Sequence, residues 1–116
     1  RLGDRLGLEI LLDSPSSASI LFEPDVYWIR KGGQDPASYL SKYAGRIPLV
    51  HLKDMAADAE GSFAEVGEGV LDWTAIFAAA EAGGAEWYIV EQDRWTRPSL
   101  EAAALSLRHL REWGKL

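Results

Sequence analysis

Short apolar runs alternate along this chain with longer segments in which apolar residues recur at helical spacing. The runs are brief and nearly continuous in apolar residues, as is typical of strands buried on both faces of a parallel sheet. They predict three strands, at residues 18–29 with its end near Asp25, at 46–54 and at 86–93. The helical spacing predicts four helices, at residues 2–13, 35–43, 72–82 and 98–113.

Capping residues mark the ends of the two middle helices. Asp35 precedes Pro36, which predicts an N-cap followed by proline at the first helical position. Asp72 is the corresponding N-cap of the next helix, which we expect to end at Gly83 and Gly84. A long polar loop is expected between residues 54 and 71, ahead of the Asp72 cap.

The last predicted helix has one apolar face, which we expect to pack on the core. Its members are Leu100, Ala103, Ala104, Leu107 and Leu110. His109 lies opposite this face on the helical wheel, which predicts a surface position for the imidazole.

This alternation of helices and strands predicts an α/β fold built from right-handed βαβ units with a parallel sheet. Helices on only one face of three strands would leave Leu21, Leu49 and Ile89 exposed to water on the other face. We therefore expect residues 1–116 to form a single domain that is the last part of a larger barrel.

Composition and charge narrow the function classes. The 116 residues include no cysteine, which excludes disulfides and thiolate metal sites and is compatible with the cytoplasm. A formal net charge of −6 argues against a nucleic-acid partner, since such proteins usually carry a basic surplus. No apolar run approaches the ~18 residues that span a bilayer, so no membrane association is expected.

Side chains alternate along a strand, and this alternation brings polar residues to the carboxyl end of each predicted strand. Those residues are Glu23, Asp25, His51, Lys53 and Glu91. Sites of α/β sheets and barrels form at these strand ends. Two carboxylates and an imidazole suit Mn²⁺, Mg²⁺, Co²⁺ or Zn²⁺, so we predict a metal site formed by Asp25, His51 and Glu91.

Structural roles for the same side chains remain open. Asp25 could cap the following turn, His51 could be a hydrogen-bonded structural residue, and Glu91 could pair with Lys53 or Arg94. An ion pair between Lys53 and Glu23 is a further expectation.

Two other residues are candidates for binding substrate. Trp28 follows Asp25 closely, and an aromatic ring near a strand end suits the apolar C–H face of a sugar. Glu68 lies among glycines in "EVGEGVLDW" (65–73), a loop that could approach a ligand closely. The alternatives are rim packing for Trp28 and a simple turn before Asp72 for the loop.

Three segments carry a family resemblance: "DVYWIRKGGQDPASYLSKYAGRIPLVHLKDM" (25–55), "EVGEGVLDW" and "WYIVEQD" (87–93). Together they resemble the sugar phosphate isomerase/epimerase family of xylose isomerase-like TIM barrels, over residues 18–113. The resemblance implies that the predicted strands are barrel strands six, seven and eight. It also implies a divalent metal, often Mn²⁺, held by Asp25, His51 and Glu91, with a fourth ligand from strand five that this chain lacks.

The resemblance implies isomerisation or epimerisation of a keto-sugar or sugar phosphate. Glu91 would move a proton at the carbon next to the carbonyl, and Lys53 would stabilise negative charge. A keto-inositol dehydratase-type lyase on the same barrel is the nearest alternative. A non-catalytic fragment is another, and we expect the bare sheet face to be covered in a homo-oligomer or by a complementary barrel fragment. The multi-metal DNA-repair enzymes of the superfamily are disfavoured by the two histidines and the negative charge.

Overall fold

The computed structural model of the protein describes residues 2–14 and 19–116. The elements in chain order are α1 Gly7–Leu12, α2 Val26–Lys31, α3 Pro36–Lys42, β1 Leu49–Leu52, β2 Asp54–Met55, β3 Phe63–Ala64, α4 Trp73–Ala82, β4 Trp87–Val90 and α5 Ser99–Glu112. Helices and parallel strands alternate, which confirms the predicted α/β class. The first helix is shorter than the predicted 2–13 and begins at Gly7.

Strands β1 and β4 form the parallel pair that the apolar runs predicted. Their register aligns Leu49 with Trp87 and Leu52 with Val90. Val50 and Leu52 are fully buried on one face of β1, where they join the core between the strand and the helices. Because the strands are parallel, their carboxyl ends meet at the same edge of the sheet.

The first predicted strand, 18–29, is wrong as a strand, although residues 15–18 lie outside the described part of the chain. Residues 20–24 form neither helix nor strand, and a parallel bridge between Asp25 and His51 joins the end of this segment to β1. The His51 N–H donates to the Pro24 carbonyl at 2.9 Å. Pro24 has no N–H of its own, so a regular ladder cannot continue through it.

Helix α2 occupies the residues that the sequence assigned to the end of that strand. Asp25 is its N-cap, and Asp25 Oδ1 accepts a hydrogen bond of 3.1 Å from the Trp28 N–H. The apolar residues Val26, Tyr27 and Ile29 led to the prediction of a strand here. All three are buried in the structure, but in a helix. A short buried helix and a buried strand have the same apolar content.

The expected loop at 54–71 contains a small antiparallel hairpin formed by β2 and β3. The helix caps on either side of β1 are as predicted. Asp35 Oδ2 accepts from the Ser38 N–H at 2.8 Å, and Asp72 Oδ1 accepts from the Ala75 N–H at 3.0 Å. These caps satisfy amide groups that would otherwise lack partners at the first turns of α3 and α4.

Helix α5 does not bury the face predicted from its apolar residues. Leu100 is 84% exposed and Leu107 38%, whereas Ala102, Ser106 and Leu110 are buried. The buried face includes a serine because Ser106 Oγ accepts from the Val66 N–H at 3.2 Å and donates to the Ala102 carbonyl. The prediction of the buried face was wrong because one side of α5 is held against the loop after β3 by a hydrogen bond to Ser106. Helical periodicity cannot detect such a hydrogen bond.

The expected bare face of the sheet is present. Leu21 is 66% exposed and Ile89 38%, and Leu49 is half-buried. On the same side the ends of the strands become polar, so this face leads to the site described below. Within residues 2–14 and 19–116, no helix has the length and apolarity needed to cross a membrane.

Candidate metal centre

Three predicted ligands come together at the carboxyl ends of the parallel strands. Asp25, His51 and Glu91 each offer one ligand atom, and these atoms lie within 4.8 Å of one another. All three residues are half-buried. Two carboxylate oxygens and an imidazole nitrogen at this spacing fit a divalent cation such as Mn²⁺, Mg²⁺, Co²⁺ or Zn²⁺.

Local structure fixes the position of each ligand. Asp25 is aligned with His51 by the parallel bridge and is also held by its capping contact with the first turn of α2. Glu91 follows the last residue of β4, and its N–H donates to the Leu52 carbonyl at 3.2 Å. Asp25 therefore caps α2 and also lies in the candidate metal cluster, so the two roles considered above are compatible. Its Oδ1 atom accepts the capping hydrogen bond, and its Oδ2 atom faces Lys53.

His51 is paired with a carboxylate. Its Nε2 atom lies 2.9 Å from Glu23 Oε1. The predicted ion pair between Glu23 and Lys53 is wrong, because Glu23 turns to the imidazole and the described partners of Lys53 are other carboxylates. A carboxylate on one ring nitrogen orients a histidine so that the other nitrogen can serve as a ligand.

Lys53 is the most deeply buried charge of the centre, with a side chain only 1% exposed. Its Nζ lies 3.3 Å from Asp25 Oδ2 and 2.5 Å from Asp93 Oδ2, and it also contacts Glu91 Oε2. Burial alone lowers the pKa of Lys53, but hydrogen bonds to Asp93 and Glu91 outweigh that effect and raise its pKa above the ordinary value. The ammonium group is thus a fixed positive charge at neutral pH.

Aromatic rings cover the same ammonium group. The Nζ atom lies 6.0 Å from the Tyr27 ring centroid, 5.7 Å from that of Trp28 and 5.1 Å from that of Phe63. Rings from α2 and from β3 therefore close over Lys53 and keep water away from it, which strengthens its attraction to the carboxylates.

Sequence reasoning missed Asp93 and Phe63 as neighbours of Lys53. Asp93 has the same strand parity as Glu91, so alternation beyond the end of β4 would have included it. The hydrogen bond from Lys53 lowers the pKa of Asp93 below its ordinary range. Phe63 lies 10 residues from Lys53 in a segment that was expected to be a loop, and only the β2–β3 hairpin brings the two together.

The two predicted substrate residues occupy different surroundings. Trp28 is 51% exposed, and its ring lies edge-on to Tyr27 and Phe63 beside Lys53. Glu68 Oε1 instead lies 2.7 Å from His109 Nε2 on α5. Substrate binding by either residue stays a prediction.

His109 is not the surface residue that the helical wheel suggested. Its side chain is only 18% exposed, because the ring stacks on Trp113 at 5.6 Å between centroids and pairs with Glu68. The buried side of α5 therefore carries this histidine, and the Glu68–His109 pair joins the loop after β3 to the last helix.

Comparison with known proteins supports the assignment of the fold. A profile of the xylose isomerase-like TIM barrel family matches residues 7–113. An inosose dehydratase from Clostridium beijerinckii is 33% identical over 99 residues, which is 69% of this chain and 33% of that protein. An inosose dehydratase from Geobacillus thermodenitrificans is 30% identical over 117 residues, which is 84% of this chain and 39% of that protein. The chain thus spans about a third of the length of these curated relatives.

Solved structures show the same relationship. Two crystal structures of sugar phosphate isomerase/epimerases from Parabacteroides distasonis superpose with TM-scores of 0.68 and 0.69 at 30% and 28% identity. The matches cover 87% and 97% of this chain and 33% and 38% of those chains. The family resemblance predicted from the strand-end motifs is confirmed, and the chain belongs to the xylose isomerase-like TIM barrel family.

Proposed function

We propose that this chain carries part of the active site of a divalent-metal-dependent isomerase or epimerase that acts on a keto-sugar or sugar phosphate. The observation that supports the proposal most strongly is the cluster of Asp25, His51 and Glu91, with ligand atoms within 4.8 Å of one another at the carboxyl ends of parallel strands. In barrels of this type, chemistry takes place at that end of the strands. The relatives named sugar phosphate isomerase/epimerase point to the same substrate class.

The metal would be held by Asp25, His51 and Glu91, with Mn²⁺ the first choice and Mg²⁺, Co²⁺ or Zn²⁺ compatible with the donors. When bound, it would supply Lewis-acid polarisation of the substrate carbonyl and the neighbouring hydroxyl. Three protein ligands leave positions for substrate oxygens, as a catalytic site requires.

Glu91 and Lys53 carry the proposed chemistry of the chain itself. Glu91 takes the proton from the carbon next to the carbonyl and returns it to a carbon of the product. Lys53, held charged and away from water, stabilises the negative charge that develops on the substrate oxygen. Because the charge of Lys53 is present before the reaction, no reorganisation is needed when the oxygen becomes negative.

Trp28 and Glu68 are proposed to bind the substrate. The half-exposed indole of Trp28, next to the aromatic cover of Lys53, offers a flat apolar surface for the C–H face of a sugar. Glu68 would have to exchange His109 for a sugar hydroxyl, so its contribution depends on movement of the loop that carries it.

We further propose that the segment ending at Asp25, strand β1 and strand β4 correspond to barrel strands six, seven and eight of a partial barrel. In this proposal a second copy or a complementary barrel fragment covers the bare sheet face formed by residues such as Leu21 and Ile89. The single-domain assignment of residues 1–116 and the cytoplasmic location stay predictions.

A dehydratase acting on a keto-inositol is the second candidate. The specific observation in its favour is that curated relatives matching most of this chain are named inosose dehydratase. It would begin with the same proton abstraction by Glu91 and would then lose water from the substrate. Product mass separates the two reactions, because isomerisation conserves mass and dehydration does not.

Calorimetric titration of the chain with Mn²⁺ tests the proposed metal site. Asp25→Asn, His51→Gln and Glu91→Gln should each weaken Mn²⁺ binding at least tenfold. Glu86→Gln, which removes one charge at the opposite end of β4, should leave the affinity unchanged. Mn²⁺ affinity that is the same in all five proteins would overturn the metal site.

Turnover at a Mn²⁺ concentration that saturates each variant tests the catalytic role, in the barrel that contains this chain. Glu91→Gln should abolish conversion of a keto-sugar, and a variant that keeps wild-type turnover would overturn the role of Glu91.

A further inference from the structure

The ammonium group of Lys53 contacts three carboxylates, and these three are not equivalent. Asp25 and Glu91 belong to the cluster of metal ligands, and Asp93 does not. Asp93 Oδ2 lies 2.5 Å from Nζ, nearer than the 3.3 Å of Asp25 Oδ2, while Glu91 Oε2 is the nearest of the three.

A metal ion and Lys53 would interact with the same two carboxylates, those of Asp25 and Glu91. A cation bound by Asp25 and Glu91 would withdraw electron density from carboxylates that now contact Lys53, and it would repel the ammonium group. Lys53 cannot move into water to avoid this, because its side chain is 1% exposed beneath the rings of α2 and β3. A buried charge without an anionic partner is strongly unfavourable, so Lys53 needs a carboxylate that the metal does not use.

We propose that Asp93 is a positioning residue that holds the Lys53 ammonium group aside from Asp25 and Glu91, so that these two carboxylates are available to a divalent cation. The inference rests on the proposed metal site. It adds a residue outside the ligand cluster and gives it a role that acts through Lys53.

The location of Asp93 suits this role. It follows Glu91 by two residues beyond the end of β4, and both side chains contact the Lys53 ammonium group. Its side chain is 48% exposed, so replacement by asparagine leaves no cavity, and in the metal-free chain Lys53 keeps Asp25 and Glu91 as partners. The effect of such a replacement can therefore be read without loss of the fold.

A double-mutant cycle with Mn²⁺ as the probe tests the proposal. Asp93→Asn should weaken Mn²⁺ binding at least fivefold, because Lys53 then remains on Asp25 and Glu91 and competes with the cation. In a Lys53→Met background the same Asp93→Asn change should alter the Mn²⁺ affinity less than twofold. Equal weakening in both backgrounds, or no weakening in the wild-type background, would overturn the proposal.

Two further variants sharpen the cycle. Asp93→Glu should retain most of the Mn²⁺ affinity, because it keeps the carboxylate within reach of Lys53. Glu86→Gln is the control for loss of one negative charge from the same segment. If circular dichroism shows that Lys53→Met is not folded, Lys53→Gln replaces it in the cycle.

Urea denaturation of the four metal-free proteins separates this inference from the proposed function. Asp93→Asn should lower the urea midpoint of the wild type and should not lower that of Lys53→Met. A wild-type chain that binds no Mn²⁺ would overturn the proposed metal site, whereas equal lowering of the urea midpoint in both backgrounds would overturn the pairing of Asp93 with Lys53.

Discussion

The backbone N–H of Gly69 donates a hydrogen bond of 3.1 Å to Oδ2 of Asp54, a fully buried carboxylate that directly follows Lys53. A Cβ atom at position 69 would lie 2.3 Å from Asp54 Oδ1 and 2.3 Å from the Met55 carbonyl oxygen. Any side chain at this position therefore requires the Asp54 carboxylate or the Met55 backbone to shift. The hydrogen bond holds the loop after β3 against Asp54, which is next to Lys53 of the candidate site.

Replacement of Gly69 by alanine should destabilise the chain by about 2 kcal/mol or more, because backbone and a buried carboxylate must move to admit the methyl group. Gly7→Ala is the matched control, since nothing lies within 4 Å of a Cβ at Gly7 and the residue is in helix α1. That control should leave stability unchanged or raise it by about 0.5–1 kcal/mol. Urea denaturation measures both, and a neutral Gly69→Ala variant would contradict the packing described.

Asp54 should be among the most sensitive positions in the chain. Its carboxylate accepts hydrogen bonds from five donors, namely the N–H groups of Met55, Gly67, Gly69 and Leu71 and the indole Nε1 of Trp73. Asp54→Asn turns an amide group toward these donors and should cost about 3 kcal/mol of unfolding free energy, while keeping the side-chain shape. Trp73→Phe, which removes one donor, should cost less. Equal stability of Asp54→Asn and wild type would show that the five bonds contribute nothing.

The cap of α3 should make part of the stability depend on pH. Hydrogen bonds from the Ser38 side chain and backbone lower the pKa of Asp35 below its ordinary value. The stabilisation is therefore present above the unfolded-state pKa of about 3.9 and is lost as pH falls through the lower folded-state pKa. Asp35→Asn should keep the cap at pH 7 but lose this acid-side change, and Asp35→Ala should cost about 1 kcal/mol at pH 7. Urea midpoints measured from pH 7 to pH 2 test the expectation, which an unchanged acid slope in Asp35→Asn would refute.

Glu23 should affect the metal site through His51. Because Glu23 Oε1 lies 2.9 Å from His51 Nε2, it holds the imidazole in one orientation. Loss of such a partner typically weakens metal binding by about 10–100-fold. Glu23→Ala should therefore weaken Mn²⁺ binding about tenfold, Glu23→Gln should weaken it less, and Glu86→Ala should have no effect. Calorimetric titration compares them, and Mn²⁺ affinity unchanged in Glu23→Ala would contradict an orienting role.

Self-association should appear as a stability that depends on protein concentration. Leu21, Ile89 and Leu100 are exposed in the single chain, and a second copy could bury them. If it does, a hundredfold rise in concentration should raise the apparent unfolding free energy by about 2.7 kcal/mol. Urea denaturation at two protein concentrations that differ by a factor of a hundred measures this change in the apparent unfolding free energy. A urea midpoint that does not change with protein concentration would show that a second copy of the chain does not bury these residues.

The sequence by itself determined the class of the fold and singled out the three residues of the candidate metal cluster. Apolar runs located β1 and β4, and aspartates before helical segments located α3 and α4. Strand alternation then placed His51 and Glu91 on one face at one edge, because a period of two residues is imposed by the backbone itself. These features depend on residues close together in the chain.

Only the tertiary structure decided which residues the polar side chains contact. Glu23 pairs with His51 instead of Lys53, Asp93 joins Lys53, and Phe63 covers it. The buried face of α5 was likewise set by Ser106 and its contact with the loop after β3. These choices depend on distances between segments 10 to 40 residues apart, which local periodicity does not encode. Pairing of charges is decided by where folding brings them, and so the chemistry of the centre is a property of the packed chain.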